Sequence, residues 1–240
     1  MIRLIVSDLD GTLLPYGEHA VSEAVKGLIS SALEQGITVA VSSGRTLGEL
    51  LSFFPEFWER LYFICCDGAY YGKGKTVFYE KQIARQDLLL LSKTCEGMIL
   101  HGAHQNYALG AIPESLQGEV SARLTSVDHL SEKIFKVTAF TAPKRLPPYC
   151  GLRLHWDGGR GIAQYVNRFS DKGAALSDLQ SRLMLTKFET ACIGDAGNDI
   201  AMMHNAKLSF CVGDGCPELT RVCNHTVARA EEALEMLITK

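Results

Sequence analysis

Short apolar runs alternate with amphipathic stretches over the first and last thirds of the chain. In the first third, the pattern predicts strand, helix, strand, helix and strand over residues 3–8, 22–35, 37–42, 46–54 and 61–66. In the last third, it predicts a helix, strand, helix, strand and terminal helix over residues 172–184, 189–194, 199–205, 208–212 and 231–238. Nearly continuous apolar strands between helices are typical of a parallel sheet covered on both faces. The predicted fold class is therefore α/β, with a doubly wound parallel sheet.

The middle of the chain has a different pattern, which predicts a smaller inserted α+β domain. Helices are predicted over residues 86–94 and 114–123, and less uniformly apolar strands over residues 133–141, 151–157 and 162–169. Asp157-Gly158-Gly159-Arg160 is a typical hairpin turn, so antiparallel pairing is expected there. The predicted boundaries are 1–69 and 169–240 for the sheet with its helices, and 70–168 for the insertion.

Composition and charge exclude several classes of partner. The net charge is -3 and no block of like charges occurs, so we expect no nucleic-acid partner and no binding to an anionic membrane. The apolar run at the N-terminus is too short for a signal peptide or a membrane span, and a cytoplasmic location is expected. In such a chain the eight cysteines are expected to be reduced and mostly buried.

Two acidic motifs follow predicted strands at opposite ends of the sequence. The first is Asp8-Leu9-Asp10-Gly11-Thr12-Leu13, and the second is Gly194-Asp195-Ala196-Gly197-Asn198-Asp199. Ligand sites of open α/β sheets lie at the carboxyl ends of the strands, so carboxylates from both motifs are expected to converge on one cation there. A lone aspartate in such a place is usually a turn or cap residue, but the complete strings are much rarer.

Two further motifs supply groups that favour an anion. Ser42-Ser43-Gly44-Arg45 lies between a predicted strand and a predicted helix, whose first backbone N–H groups attract negative charge. Lys172, in Asp171-Lys172-Gly173, lies at the start of another predicted helix. Each is weak alone, because serine and glycine are common in caps and turns and a lysine is ordinarily solvated.

Taken together and in this order, the four motifs resemble those of the haloacid dehalogenase superfamily, and specifically its phosphatases. The first matches the family's D-x-D-G-T and the last matches G-D-x-x-N-D. The position of the insertion, between the second and third motifs, is similar to that of the α/β cap of the Cof-like subgroup. One departure is Asp67-Gly68-Ala69, where the subgroup often has Asn-Gly-Ala.

The resemblance implies a role for each motif residue in the hydrolysis of a small phosphorylated metabolite, such as a sugar phosphate or phosphoglycolate. Asp8 is the implied nucleophile, which forms an aspartyl phosphate, and Asp10 is the implied acid and base. The implied Mg²⁺ ligands are Asp8, the backbone carbonyl of Asp10 and Asp195, with Asp199 completing the site directly or through water. The implied phosphate-binding residues are Ser43, Gly44, Lys172 and Asn198.

Other reactions of the superfamily fit the sequence less well. The dehalogenases lack an acid at the position of Asp10, and the ATP-driven pumps need membrane spans. A phosphomutase with a similar cap stays open, whereas a non-catalytic binding module is expected to have a broken motif. Substrate choice is expected to reside in the insertion, whose candidate residues are Lys136, Arg153, His155, Arg160 and Arg168.

Overall fold

Each apolar run predicted as a strand at the two ends of the chain forms a strand of one large sheet. The computed structural model describes residues 1–140, 151–157 and 161–239. Within them, the chain divides into a larger unit, Met1–Arg45 with Glu49–Tyr79 and Asp171–Lys240, and a smaller unit, Thr46–Gly48 with Glu80–Ser170. The smaller unit is therefore largely an insertion in the sequence of the larger one.

The N-terminal third of the chain alternates strands and helices. Its elements are β1 (Leu4–Asp8), α1 (Glu23–Glu34), β2 (Thr38–Ser42), α2 (Leu47–Phe53), β3 (Tyr62–Cys65), β4 (Tyr70–Lys73) and β5 (Thr76–Glu80). The side chain of Ser22 caps α1 by accepting a hydrogen bond from the backbone N–H of Val25 at 3.2 Å. Gly36 ends the same helix with a φ of +79°, a left-handed conformation that favours glycine.

The middle of the chain forms a second, six-stranded sheet with one long helix. Its elements are α3 (Arg85–Thr94), β6 (Gly97–His101), β7 (Asn106–Gly110), β8 (Ala122–Leu124), β9 (Lys136–Ala139), β10 (Leu152–Asp157) and β11 (Ile162–Asn167). The strand order is β10-β11-β9-β6-β7-β8, and all its pairs are antiparallel except β7 with β8. Leu88 and Leu91 of α3 pack in one apolar core with Leu100, Val137 and Tyr165 of the sheet. The predicted antiparallel pairing is confirmed.

The C-terminal part returns to the first sheet. Its elements are α4 (Lys172–Arg182), β12 (Thr190–Gly194), α5 (Ile200–Met203), β13 (Leu208–Val212), α6 (Pro217–Thr220), β14 (His225–Val227) and α7 (Ala230–Ile238). The strand order is β14-β13-β12-β1-β2-β3-β4-β5, and the strands from β14 to β3 are parallel. All five residues of β1 are buried, as expected for a central strand of a sheet covered on both faces. The predicted α/β class and parallel sheet are confirmed.

The strands β4 and β5 lie in the large sheet, whereas the sequence pattern assigns residues from 70 onward to the insertion. β4 pairs antiparallel with β3, with Tyr70 opposite Cys65 and Gly72 opposite Phe63. This pairing extends the large sheet, and the smaller unit takes up the chain again at Glu80.

The helix predicted over residues 114–123 is wrong. Residues Glu114–Glu119 form a short 3₁₀ helix, and β8 follows. Leu116 and Val120 have helical spacing, but Gly118 is a poor helix former and the backbone N–H of Ser121 donates to the carbonyl of Asn106 at 2.8 Å. That bond brings the chain beside β7.

The last three residues of the predicted 157–160 turn lie outside the described residues. No described helix has the length and apolar character that a membrane crossing requires.

Candidate active site

Three strands of the larger unit end side by side where the sequence motifs lie. β1 ends at Asp8, β2 at Ser42 and β12 at Gly194, and β1 pairs with both of the others. Because the three strands are parallel, their carboxyl ends lie at the same edge of the sheet. The helix α4 begins at Lys172, where the side chain of Asp171 caps it.

Three carboxylates from two motifs form a buried acidic cluster at this edge. Asp8, Asp195 and Asp199 each offer an oxygen, and these three oxygens lie within 4.8 Å of one another. Asp8 is 5% exposed, Asp195 8% and Asp199 0%. Carboxylate oxygens are the ligands that Mg²⁺ and Ca²⁺ take in proteins, so this donor set fits a hard divalent cation.

Lys172 supplies the positive charge inside this cluster. Its ammonium group donates to Oδ1 of Asp8 at 2.5 Å and to Oδ1 of Asp199 at 2.7 Å. The side chain of Lys172 is 1% exposed. An ammonium in so dry a place must be paired, and here two carboxylates pair with it.

Burial and charge act together on the ionisation of these groups. Burial raises the pKa of Asp8 well above its ordinary value; Lys172 opposes this rise, whereas the charge of Asp199 adds to it. Burial alone would lower the pKa of Lys172, but the carboxylates of Asp199 and Asp8 outweigh it and the pKa is raised. Burial also raises the pKa of Asp195. Three carboxylates against one ammonium leave an excess of negative charge that a divalent cation would offset.

Asp199 also fixes the loop that follows β12. Its Oδ2 accepts hydrogen bonds from the backbone N–H groups of Asp195 and Ala196, both at 3.1 Å. Its two oxygens therefore bind the lysine and the loop backbone, respectively. This arrangement holds Asp195 close to Asp8.

Asp10 has a different environment from Asp8, although only one residue separates them. Arg45 binds its carboxylate with two nitrogens: Nη2 donates to Oδ1 at 2.7 Å and Nε donates to Oδ2 at 2.9 Å. The hydroxyl of Ser43 donates to Oδ2 of Asp10 at 3.4 Å and accepts from the backbone N–H of Arg45 at 3.2 Å. The side chain of Asp10 is 39% exposed. The expectation that its backbone carbonyl faces a cation stays a prediction.

The turn after β3 connects the second and fourth motifs. Cys66, Asp67 and Gly68 have φ values of +49°, +55° and +84°, an unusual run of left-handed residues. The side chain of Asn198 donates to Oδ1 of Asp67 at 3.1 Å, and the backbone N–H of Asp67 donates to the carbonyl of Ser43 at 3.1 Å. Asp67, which departs from the subgroup's usual asparagine, thus holds Asn198.

One side chain of the first motif and one that follows it bind Asp195. The hydroxyl of Thr12 donates to its Oδ1 at 3.1 Å, and the phenol of Tyr16 donates to its Oδ2 at 2.9 Å. Burial, the hydrogen bond to Asp195 and the negative charge of Asp195 all raise the pKa of Tyr16, so the phenol keeps its proton and donates.

Most of the site residues predicted from the sequence lie together in the structure, and four further residues contact them. Asp8, Lys172, Asp195 and Asp199 lie in direct contact or close together in the structure. Asp10 and Ser43 lie beside Arg45. Gly44 lies between Ser43 and Arg45, and Asn198 is exposed at the edge of the site. The residues that sequence reasoning did not assign to the site are Thr12, Tyr16, Arg45 and Asp67. Thr12 and Arg45 lie within the motif strings, whereas nothing in the sequence pointed to Tyr16.

Known proteins match this chain over nearly its whole length. It is 27% identical over 229 residues to the 5-amino-6-(5-phospho-D-ribitylamino)uracil phosphatase YbjI of Escherichia coli, with 87% of this chain and 84% of that protein covered. It is 24% identical over 249 residues to a phosphoglycolate phosphatase of Metallosphaera sedula, with 100% of both chains covered.

The fold also matches a solved structure. The crystal structure of SMU.1108c from Streptococcus mutans is similar with a TM-score of 0.87 at 20% identity, and each chain is covered fully, at 100%. A family model described as haloacid dehalogenase-like hydrolase matches residues 5–234. The chain therefore belongs to the haloacid dehalogenase-like hydrolases, with Cof-like phosphatases among its relatives.

Proposed function

We propose that this hydrolase is a magnesium-dependent phosphatase that hydrolyses a small phosphorylated metabolite through an aspartyl phosphate on Asp8. The observation that carries the proposal is the burial of Asp8 against Lys172 inside a cluster of three carboxylates. A carboxylate at the end of a central strand, held by an ammonium group and shielded from water, is suited to nucleophilic attack on phosphorus.

The residues around Asp8 would bind the phosphoryl group and balance its charge. Asp8, Asp195 and Asp199, with the backbone carbonyl of Asp10, would hold Mg²⁺, which when bound would offset the negative charge of the phosphoryl oxygens. Lys172 and the hydroxyl of Ser43 bind phosphoryl oxygens in this proposal. The backbone of Gly44 and the side chain of Asn198 complete the phosphate-binding set.

In the first step, a carboxylate oxygen of Asp8 attacks phosphorus and forms the aspartyl phosphate. The bond between phosphorus and the leaving oxygen breaks, and the protonated carboxyl group of Asp10 gives its proton to that oxygen. Once this proton has left, Arg45 and Ser43 hold the carboxylate of Asp10 through the bonds described above.

In the second step, a water molecule attacks phosphorus and gives a proton to the carboxylate of Asp10. The bond between phosphorus and the Asp8 oxygen breaks, which releases inorganic phosphate and restores the carboxylate of Asp8. Asp10 ends the cycle protonated, as it began. Each group is thus ready for another turnover.

We propose that the smaller unit selects the leaving group, because the motif residues are committed to the phosphoryl group and the cation. The two curated relatives named above act, by their names, on very different leaving groups. The strand registers of the smaller unit place a set of polar residues on one sheet face: His101, Asn106, Lys136, Thr138, Arg153, His155 and Gln164.

The residues of this polar face differ in exposure. Lys136 is buried, and the ring of His101 bonds to Asn106 Oδ1 at 3.0 Å and to the hydroxyl of Thr138 at 2.9 Å. The exposed side chains of Arg153 and His155 lie on one face, as the period-two pattern predicts. Arg168 lies beyond the end of β11, and the candidate Arg160 lies outside the described residues.

The experiment that tests the proposed function is a hydrolysis screen over a panel of metabolite phosphates, with Mg²⁺ and after exhaustive chelation. We expect release of inorganic phosphate that chelation abolishes and added Mg²⁺ restores. Hydrolysis that persists fully after chelation contradicts the metal dependence. Conversion of a sugar phosphate into its isomer without release of phosphate would instead assign the chain to the mutases.

The role of the smaller unit is tested by comparing kcat/KM for the best substrate of that panel with kcat/KM for a generic aryl phosphate. Arg153→Ala and Lys136→Met are expected to reduce the first value and to leave the second nearly unchanged. Equal changes for both substrates in both variants would contradict the proposal.

A further inference from the structure

Asp195 is held by two hydrogen bonds, one to each of its carboxylate oxygens. Thr12 binds Oδ1 at 3.1 Å and Tyr16 binds Oδ2 at 2.9 Å. Asp195 itself is 8% exposed, whereas Tyr16 is 73% exposed. Packing of the Tyr16 ring therefore contributes little, although its phenol oxygen lies against the buried carboxylate of Asp195. The polar contact that the structure describes for Tyr16 is the bond to this carboxylate of the acidic cluster.

The backbone before Tyr16 is shaped for this contact. Gly11 has a φ of +84°, and a Cβ at this position would lie 2.2 Å from Oδ2 of Asp195 and 2.7 Å from the ring atom Cε2 of Tyr16. The space that a side chain would fill is therefore the space in which the phenol meets the carboxylate.

The loop is also closed by its own backbone. The N–H of Gly11 donates to the carbonyl of Leu14 at 2.8 Å, and the N–H of Leu14 donates to the carbonyl of Leu9 at 2.8 Å. Pro15, whose ring fixes φ, follows this closed turn and directly precedes Tyr16. The backbone that carries the Tyr16 side chain is therefore constrained.

We propose that Tyr16 is a positioning residue for the divalent cation, which fixes the carboxylate of Asp195 before the cation binds. The inference rests on the proposed function, since it concerns the same cluster of Asp8, Asp195 and Asp199. A carboxylate that is already oriented loses less rotational freedom when it becomes a ligand. Hydrogen-bond partners that orient metal ligands typically contribute about 10-fold to 100-fold to metal affinity.

The test is the affinity of the substrate-free protein for Mn²⁺, followed by the electron paramagnetic resonance signal of free Mn²⁺, with Mg²⁺ titrated in competition. Tyr16→Phe removes the phenol oxygen and keeps the ring over Gly11. We expect its Kd for both ions to rise about 10-fold or more. The matched control is Tyr62→Phe, which removes a phenol from β3 of the same unit and is expected to leave Kd unchanged.

Two further measurements separate positioning from a structural role. The melting temperature of Tyr16→Phe in chelator is expected to equal that of the wild type, while the rise in melting temperature on adding Mg²⁺ becomes smaller. An unchanged or lower Kd in Tyr16→Phe overturns the inference. A loss of affinity that appears in Tyr16→Ala but not in Tyr16→Phe also overturns it, because the ring and not the hydroxyl would then be responsible. If the wild type binds neither ion, the metal dependence of the proposed function falls as well.

Discussion

The ammonium group of Lys172 offers the sharpest test of how this site is stabilised. Lys172→Met keeps most of the length of the side chain and removes its charge. The variant leaves the carboxylates of Asp8 and Asp199 without the donor that binds them at 2.5 and 2.7 Å. Both carboxylates are nearly inaccessible to water, so solvent cannot replace the lost partner.

The expected loss is about 3 to 5 kcal/mol of unfolding free energy, the range found when one partner of a buried ion pair is removed. The total stability of a native protein is about 5 to 15 kcal/mol, so the variant is expected to fold with much reduced stability. For a chain of this size, the loss corresponds to a fall in melting temperature of roughly 6 to 20 °C. The pKa of Asp8 is already raised by burial, so proton uptake there favours the lower end of the range.

The assay is urea unfolding in chelator, followed by tryptophan fluorescence. The chain has two tryptophans, and a Trp156→Phe background leaves Trp58 as the reporter of the larger unit. Asp199→Asn is the matched variant, because its amide oxygen can still accept from the backbone N–H groups of Asp195 and Ala196.

The double variant of Lys172 and Asp199 decides the outcome. If the ion pair is the source of the effect, the double variant is less destabilised than the sum of the two single variants, because the charge of Asp199 is no longer left without the ammonium group. Additive losses within about 0.5 kcal/mol, or a loss below about 1 kcal/mol in Lys172→Met, would refute the reasoning.

Three further variants test individual roles at the site. Asp8→Asn is expected to reduce hydrolysis of p-nitrophenyl phosphate by at least about a thousandfold with an unchanged circular dichroism spectrum, and wild-type turnover would disprove the nucleophile. Arg45→Lys loses one of the two nitrogens that bind Asp10, and it is expected to lower kcat/KM about tenfold for an alkyl phosphate. The loss is expected to be smaller for an aryl phosphate, because its leaving group needs little protonation. Equal losses would argue against an acid role. Asp67→Asn removes a negative charge near Lys172. The inhibition constant of inorganic phosphate is expected to fall roughly fivefold, the equivalent of about 1 kcal/mol, and a higher inhibition constant would contradict this.

The core of the fold and the position of the site could be predicted because both depend on local sequence. A run such as residues 4–8, buried at every position, has to be a central strand, and parallel strands have to end at a common edge. Asp8 is the last residue of such a strand, and Ser43 and Asp195 follow such strands directly, so their meeting is a consequence of the sheet order. Lys172 was predicted only through its motif, since a lone lysine is seldom buried.

The parts that could not be predicted depend on contacts between distant residues. The strand β4 reads as part of the insertion until its pairing with β3 is known, and residues 120–124 leave the helical path because Ser121 bonds to Asn106. Tyr16 is a similar case. An exposed aromatic residue is unremarkable in a sequence, and its bond to Asp195 joins positions 179 residues apart.

The structure gives different surroundings to two aspartates that are separated by a single residue. Asp8 is the last residue of β1 and lies buried against an ammonium group, whereas the side chain of Asp10 is 39% exposed and is held by a guanidinium group. The chain can separate them because the strand ends at Asp8 and Gly11 adopts a left-handed conformation. A dry, fixed carboxylate suits attack on phosphorus, and a partly solvated one suits exchange of protons with a leaving group and water. The division of labour that we propose, with Asp8 as the nucleophile and Asp10 as the acid, therefore follows from where the strand stops, since their side-chain chemistry is identical.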